Sequence, residues 1–451
     1  MTETELVHFI ENLETDRIKF AICDIDGVLR GKLISKKKWN QAIREGLGFC
    51  NVVFGWDTGD NCYDNTEISG WHKAYPDARA TLDPESFRQI PWEHNLPFFL
   101  ADFSQSQELS GVCPRTLLKN IRLQGEQMGY HTQFSKEFEW FNFKETPESL
   151  QEKKFQQLIP LTPGMFGYSL LRPSLHQAYF EDLFDLLGRF GIPLEGLHTE
   201  TGDGVYEASI DHTDILAAAD RAVLFKTGVR EIAYRHGILA SFMAKWNSGL
   251  PGCGGHIHQS LWNPEATVNL FYDPGDVNKM SELLKHYIAG QLYCLPYILP
   301  MYAPTINSYK RYVEGSWAAT TVSWGIENRT TALRVINHSH AEMRLETRIP
   351  GADANPYLSL SASLASGLYG IKNKLALNLA GVNGNGYGKE GLEKLPPTLS
   401  AAVDQMERST LPGELFGETF VDHFIRTRHW ECREFDKGVT DWELKRYFEI
   451  I

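Results

Sequence analysis

Three short stretches of the 451-residue chain set charged or metal-binding side chains two residues apart: Glu137-Phe-Glu139, His256-Ile-His258 and Arg344-Leu-Glu346-Thr-Arg348. In a strand, residues i and i+2 share one face, so each stretch aims its polar groups at one side of a sheet. Two carboxylates on one face repel each other unless a cation lies between them. Arginine forks hold carboxylates and phosphates. A fourth stretch, Glu200-Thr-Gly-Asp-Gly-Val-Tyr-Glu207, places two more carboxylates on either side of a glycine-rich turn, as the arms of a hairpin would. Just before His256, Gly252-Cys-Gly-Gly255 lets backbone approach a ligand closely. Arg311, Arg329, Arg334, Arg344 and Arg348 follow within about forty residues.

Each stretch alone has a plainer explanation. Polar alternation is ordinary on the wet face of an antiparallel sheet, the histidines could be a surface pair, and the acidic turn could be solvated. Together they describe a site for metal with phosphate, or metal with carboxylate, as an ATP-dependent reaction on an acidic substrate requires. A His-x-His pair also occurs in cupins and metal amidohydrolases, but where cupins carry a glycine six residues before the first His, this chain has Leu250. There is no G-x-x-x-x-G-K-[ST], and the one G-x-G-x-x-G, Gly386-Tyr-Gly-Lys-Glu-Gly391, continues a Gly/Asn loop with no apolar strand run before it, so any nucleotide must be held by other means than a P-loop or Rossmann turn.

The elements that must position these groups are legible from periodicity. Ile18 to Cys23 and Val28 to Ile34 flank Asp26-Gly27 and predict a hairpin. Lys36 to Leu47 has a helical pattern, and residues 50–100 read as the remainder of a small α+β unit ending near Pro114. Arg115 to Met128 predicts an amphipathic helix, followed by a long strand from His131 to Phe143. Lys144 to Gln157 reads as an exposed loop. Long helices are predicted over His176 to Phe190, Thr213 to His236 and Asn355 to Lys374; Gly191 and Gly237 stand where helix stops belong.

Length makes two domains more probable than one. The net charge of -13 argues against a nucleic-acid partner. Seven scattered cysteines without a C-x-x-C pair suit a reduced, cytoplasmic setting. The acidic Met1-Thr-Glu-Thr-Glu-Leu6 start lacks the pattern of a signal peptide. The most apolar stretch, His286 to Pro304, is interrupted by Gln291, Pro296 and Pro300 and reads as core helix and loop rather than a membrane span.

The order Glu-x-Glu, Glu-x6-Glu, Gly-x-Gly-Gly-His-x-His-Gln-Ser-Leu, Asn-Ser-Tyr-Lys-Arg, Asn-Arg-x-x-x-x-Arg, Arg-x-Glu-x-Arg and Ala-Asn-Pro-Tyr resembles the glutamine synthetase family. The resemblance extends from Asp24-Ile-Asp-Gly-Val-Leu-Arg-Gly-Lys32 to Asp441-Trp-Glu-Leu-Lys-Arg-Tyr447. It implies an α+β protein: a small N-terminal β-grasp domain over residues 1–113 and a larger catalytic domain over 114–451 built on a curved antiparallel sheet flanked by helices. It implies two or three Mg2+ or Mn2+ ions per site, with Glu139, Glu200 and Glu207 at one ion and Glu137, His256 and Glu346 at another. His258, Ser260, Arg334 and Arg344 are implied as nucleotide or phosphate contacts. Gly252, Arg311 and Arg348 are implied for glutamate, and Arg329, with Arg334, for the transferred phosphoryl. ATP is then a co-substrate, and the expected assembly is a homo-oligomeric ring, taken as a dodecamer, with each active site between neighbours.

The chain departs from the family at the nitrogen site. Ammonia-using members carry a Glu six residues after the arginine matched by Arg311; here that position is Trp317, with Glu314 three residues earlier. Val205 and Pro251 stand where a polar residue and an Asn are usual. An indole cannot take a proton, but it can line an apolar pocket or face a cation. The pattern implies a γ-glutamylamine ligase acting on a polyamine, ethanolamine or small alkylamine, its amine pocket formed by Trp317, Glu314, Asp57 and Asp60. The alternatives are a glutamine synthetase using ammonia, with Glu314, Asp57 or Asp60 in the missing carboxylate's place, and a non-catalytic structural member of the family.

Overall fold

The structure, a computed structural model, describes residues 3–451. Six strands form the first sheet: β1 (Arg17–Cys23), β2 (Leu29–Ser35), β3 (Leu47–Cys50), β4 (Asp77–Leu82), β5 (Arg88–Ile90) and β6 (Leu96–Asp102). The order is β2-β1-β6-β4-β3, with β5 also pairing β6. The β1–β2 hairpin is antiparallel, as the Asp-Gly signal predicts, whereas β1 runs parallel to β6. Gly27 turns the hairpin at φ +83°, where a Cβ would lie 3.0 Å from Asn355 Cα. Alternation divides β1 and β6 between two cores. Phe20, Ile22, Phe99 and Ala101 join a small cluster with Trp39, while Ala21, Cys23, Phe98 and Leu100 join the large one. Burial on both faces explains their nearly continuous apolar runs.

Eight strands form the second sheet: β7 (His131–Phe143), β8 (Leu194–Thr199), β9 (Val205–Ile210), β10 (Leu239–Ser241), β11 (Gly255–Trp262), β12 (Trp324–Ile326), β13 (Leu333–Ile336) and β14 (Arg344–Thr347). The order is β12-β13-β14-β11-β7-β9-β8, with β10 also pairing β7. Among the described pairs of this second sheet, only β12–β13 is parallel. The helices Pro114–Gln127, Ile215–Arg235, Glu282–Ile298 and Pro356–Lys372 bury apolar faces in the large core. The fold is α+β, as the resemblance implies. One local expectation needs correction: within 144–157, Pro147–Glu152 is a helix opened by a capping box between Thr146 and Ser149. The short polar sequence hid it, since its stability comes from the cap rather than from an apolar stripe.

Ion pairs and side-chain hydrogen bonds tie the first sheet to the rest. Arg115, at the start of its helix and only 2% exposed, donates to Asp83 (2.7 Å), Asp102 (2.8 Å) and Asp220 (2.9 Å). Arg428 pairs with Asp26 at 2.6 Å. Asn355 Nδ2 donates to the carbonyls of Asp24 (3.0 Å) and Ile25 (3.2 Å). Among the described residues, no helix is long and apolar enough to cross a membrane.

Candidate active site

The second sheet gathers the predicted groups. Register sets Glu137 opposite His256 on β11 and Glu139 opposite Glu207 on β9. Arg334 on β13 pairs across from Glu346 on β14. Glu200 follows the end of β8, so the glycine-rich turn returns the chain to Glu207 as an arm of the same hairpin. These residues line a cavity of about 540 Å³ that also contains Gly252, Arg311, Arg329, Arg348 and Trp317.

Two donor clusters lie within it. In the first, His256 Nδ1 is 3.1 Å from Glu137 Oε1 and 3.4 Å from Glu346 Oε1. The second holds Glu200 and Glu207 together with His198, whose Nε2 is 3.5 Å from Glu207 Oε1. Glu139 adjoins the second cluster through its pairing with Glu207, and its Oε2 accepts from Gly254 N at 2.9 Å. The electrostatics call for a cation. Burial, then the charges of Glu137, Glu139 and Glu200, pushes the Glu207 carboxyl up to about 10. Burial and Glu200 lift Glu139 to about 7 despite the Gly254 hydrogen bond. In the first cluster burial is overcome: His256 and His258 hold Glu137 well below the carboxylate range, and Arg348, His258 and His256 bring Glu346 to about 2. Burial and Arg348 depress His256 to about 4, keeping it neutral and able to ligate. His198 Nε2 is buried without a hydrogen-bond partner. Crowded carboxylates with an orphaned imidazole nitrogen fit a divalent ion.

The arginines take separate stations. Arg334 bonds Glu346 (3.0 Å) and Glu327 (3.1 Å), placing it in the acidic cavity rather than with the other predicted nucleotide contacts. Arg348 also bonds Glu346, so this carboxylate would be shared between an ion and two guanidinium groups. Arg311, 3% exposed, donates to the Ile349 carbonyl. His258, Ser260 and Arg344 line an adjoining cavity of about 380 Å³ that shares Glu137 and Ser209 with the first. There Arg344 Nε donates to His258 Nδ1 at 3.2 Å, and Ser260 Oγ accepts from Trp262 Nε1 at 2.9 Å.

Trp317 stands at the acidic cavity with φ +61° and 57% of its surface exposed. Glu314, though exposed on the same loop, does not line it. Asp57 and Asp60 are not brought to this cavity within one chain: Asp57 accepts from Trp430 at 3.0 Å, and Asp60 pairs with Arg30 at 2.7 Å. Sequence reasoning missed His198 and Tyr168. His198 alternates with Glu200 along one arm of the acidic hairpin, a signal the spacing did contain. Tyr168 lies in a turn at φ +55° and gives no periodic signal.

A sheet that presents clustered carboxylates, histidine and arginines to one cavity, beside a second cavity lined by His258 and Arg344, defines an ATP-dependent ligase acting on a carboxylate. The chain belongs to the glutamine synthetase family: the family model described as glutamine synthetase, catalytic domain, matches residues 111–447. The chain is 50% identical over 438 residues to the type-1 glutamine synthetase 2 of Dictyostelium discoideum, covering 96% of this chain and 84% of that protein. It is 36% identical to the glutamate–isopropylamine ligase of a Pseudomonas species, covering 98% of this chain and 97% of that one. A solved GmaS–ADP complex superimposes with a TM-score of 0.85 at 26% identity, covering the whole of both chains. The chain is an ATP-dependent glutamate ligase that resembles the γ-glutamylamine branch of the family.

Proposed function

We propose that this ligase joins the γ-carboxylate of glutamate to an organic primary amine through a γ-glutamyl phosphate. The observation that carries the reading is Trp317, whose indole lines the acidic cavity while Glu314 does not. Ammonium is small and strongly hydrated and is best held by carboxylates. An indole adds apolar area, and each methylene buried against it gains about 0.8 kcal/mol.

A carboxylate is a poor electrophile. A glutamate γ-carboxylate oxygen forms a bond to the γ-phosphorus of ATP as the bond to ADP breaks, converting the carboxylate to an acyl phosphate. The nitrogen of the neutral amine then attacks the acyl carbon, the C–O bond breaks and phosphate leaves. Alkylammonium groups have a pKa near ~10 by analogy with lysine, so one proton must go before attack. An acidic neighbour receives that proton, and the departing phosphate takes the second one, lost from nitrogen as the amide forms. Arg311 and Arg348 orient glutamate beside Gly252, Arg329 and Arg334 face the transferring phosphoryl, and His258, Ser260 and Arg344 hold the nucleotide. Two divalent sites are proposed, one with Glu139, Glu200 and Glu207 and the other with Glu137, His256 and Glu346. When bound, Mg2+ or Mn2+ disperses the charge of the phosphate oxygens.

We place the domain boundary at residues 113/114 and the protein in the cytoplasm. Its assembly is a ring, with Asp57 and Asp60 serving a neighbour's site. A second reading, glutamine synthesis from ammonia, draws support from the similarity to the Dictyostelium protein. Turnover of ATP with glutamate is to be measured with ammonia, methylamine, ethanolamine, isopropylamine, putrescine and spermidine at equal free base. An organic amine should be favoured, and Trp317→Glu should lose the preference. A parent enzyme that prefers ammonia overturns the proposal.

A further inference from the structure

A third cavity, of about 610 Å³, lies where the turn of the β1–β2 hairpin meets the helix Ile215–Arg235, and it shares no lining residue with the two cavities described above. Its walls include Asp26 of the turn, Lys226 and Arg230 of the helix, and Asp353. Lys226 and Arg230 stand one helical turn apart on the same face, where like charges repel. Both flank the Phe242 ring, with Lys226 Nζ 5.8 Å and the Arg230 guanidinium carbon 5.2 Å from its centroid. Lys226 is 5% exposed, and its ammonium, with three protons to donate, makes a single long hydrogen bond to the Ala354 carbonyl at 3.3 Å. Arg230 has no ion pair and no hydrogen bond among the described residues. Burial and the Arg230 charge push the Lys226 amine down to about 7.

The acids of this cavity do not answer those cations. Asp26 is taken by Arg428 at 2.6 Å. Asp353 accepts through Oδ2 from Thr305 Oγ1 (3.0 Å) and Ser308 Oγ, while its Oδ1 is buried without a partner. Lys226 feels the charges of both Arg230 and Asp353, so the three form one cluster. With Lys226 protonated, two cations face one carboxylate and one positive charge is in excess. A monoanion balances it, whereas a zwitterion leaves the excess in place and adds an ammonium beside two cations. A neutral donor on that anion would satisfy Asp353 Oδ1, whose isolation is costly. Ile238, Phe242 and Pro304 make the adjoining wall apolar. A largely apolar cavity with a few convergent polar groups is the usual form of a small-molecule site.

We propose that this cavity binds a monoanionic hydroxycarboxylate, its carboxylate on Arg230 and Lys226, its hydroxyl on Asp353 Oδ1 and its alkyl body against Phe242. The site is separate from the acidic cavity and does not depend on which nitrogen donor the enzyme uses. A molecule seated there touches both the hairpin turn of the first sheet and a helix of the large core, so its binding stabilises the packing between them.

The test is equilibrium dialysis of the assembled enzyme, with saturating ADP, Mg2+ and glutamate keeping the other cavities filled. The probes are radiolabelled α-hydroxyisovalerate, isovalerate and valine, which share a branched carbon body and a carboxylate and carry a hydroxyl, a hydrogen or an ammonium. The parent should bind α-hydroxyisovalerate saturably, one molecule per subunit, and about tenfold or more tighter than isovalerate, which leaves Asp353 unpaired. It should also bind α-hydroxyisovalerate tighter than valine. Arg230→Gln and Lys226→Gln should each weaken that binding about tenfold or more. In thermal unfolding, the parent's midpoint should rise with α-hydroxyisovalerate concentration and the Arg230→Gln midpoint should stay fixed. Absence of saturable binding to the assembled parent, or an affinity that both variants leave unchanged, overturns the inference. Tighter binding of valine, lost in Arg230→Gln, overturns the hydroxycarboxylate class, and equal affinity for isovalerate removes Asp353 from the site.

Discussion

Gly252→Ala should disable glutamate binding without replacing any ligand-binding side chain. Gly252 precedes β11, and a Cβ built there would lie 2.7 Å from Arg311 Cγ and 3.2 Å from Arg311 Cδ, closer still to the Ala244 carbonyl oxygen. That carbonyl accepts the Cys253 N–H at 2.8 Å, so it cannot retreat without breaking a hydrogen bond. Arg311 is buried and donates to the Ile349 carbonyl, so its stem must move by several tenths of an ångström and carry the guanidinium with it. A hydrogen bond to a charged group contributes about 1.5–3 kcal/mol. Losing the Arg311 fork to a substrate carboxylate therefore raises the glutamate KM by roughly 10- to 150-fold. Initial rates with glutamate varied, and separately with ATP varied, would measure this. The glutamate KM should rise over that range and the ATP KM by less than about twofold, with Arg311→Lys reproducing the pattern because an ammonium cannot replace the fork. A folded Gly252→Ala protein with an unchanged glutamate KM, or with both KM values raised equally, would refute the placement of Arg311 at the substrate.

Removing divalent cations with excess chelator, or changing Glu139 to Ala, should abolish ATP turnover; full activity in chelator would sink the metal assignment. Burial opposes ionisation of Asp83, yet Arg115 and Lys119 hold its carboxyl at about 2. Its folded value lies below the unfolded ~3.9, so it contributes about 2 kcal/mol that is present above pH ~4 and lost as the pH falls toward ~2. Denaturant titrations at pH 7 and pH 3 should show about half of that loss in the parent, relative to Asp83→Asn. Arg115→Met should cost about 3–5 kcal/mol by stranding buried carboxylates; a change under about 1 kcal/mol would contradict the hub seen around this residue. Light scattering should find a ring, and a fully active monomer would exclude a neighbour's contribution to the site.

Period-two spacing made most of the site legible. The strand His131–Phe143 was delimited by its apolar alternation, and the same alternation put Glu137 and Glu139 on one face. Arg344 and Glu346 likewise share β14, but the strand ends at Thr347 and Arg348 reaches Glu346 from just beyond it. Spacing could not show that His256 and His258, neighbours on one face, line two different cavities, because cavity walls depend on what packs across the sheet. Nor could it show Arg115 meeting Asp220, 105 residues away. Tyr168 escaped notice because a single residue at positive φ leaves no pattern. Tyr387 has its hydroxyl buried, which no local sequence pattern reveals.

The two walls of the acidic cavity have different origins. The carboxylates, His256, Arg334 and Arg348 stand on or beside paired strands, where register fixes them. Tyr168 and Trp317 stand on turns outside the sheet. A substitution in a strand disturbs neighbours on both sides, whereas a substitution in a turn changes chiefly what the turn touches. The groups assigned to phosphoryl transfer are thus tied to the scaffold, while the amine pocket proposed around Trp317 rests on a turn, where replacement carries little penalty in folding.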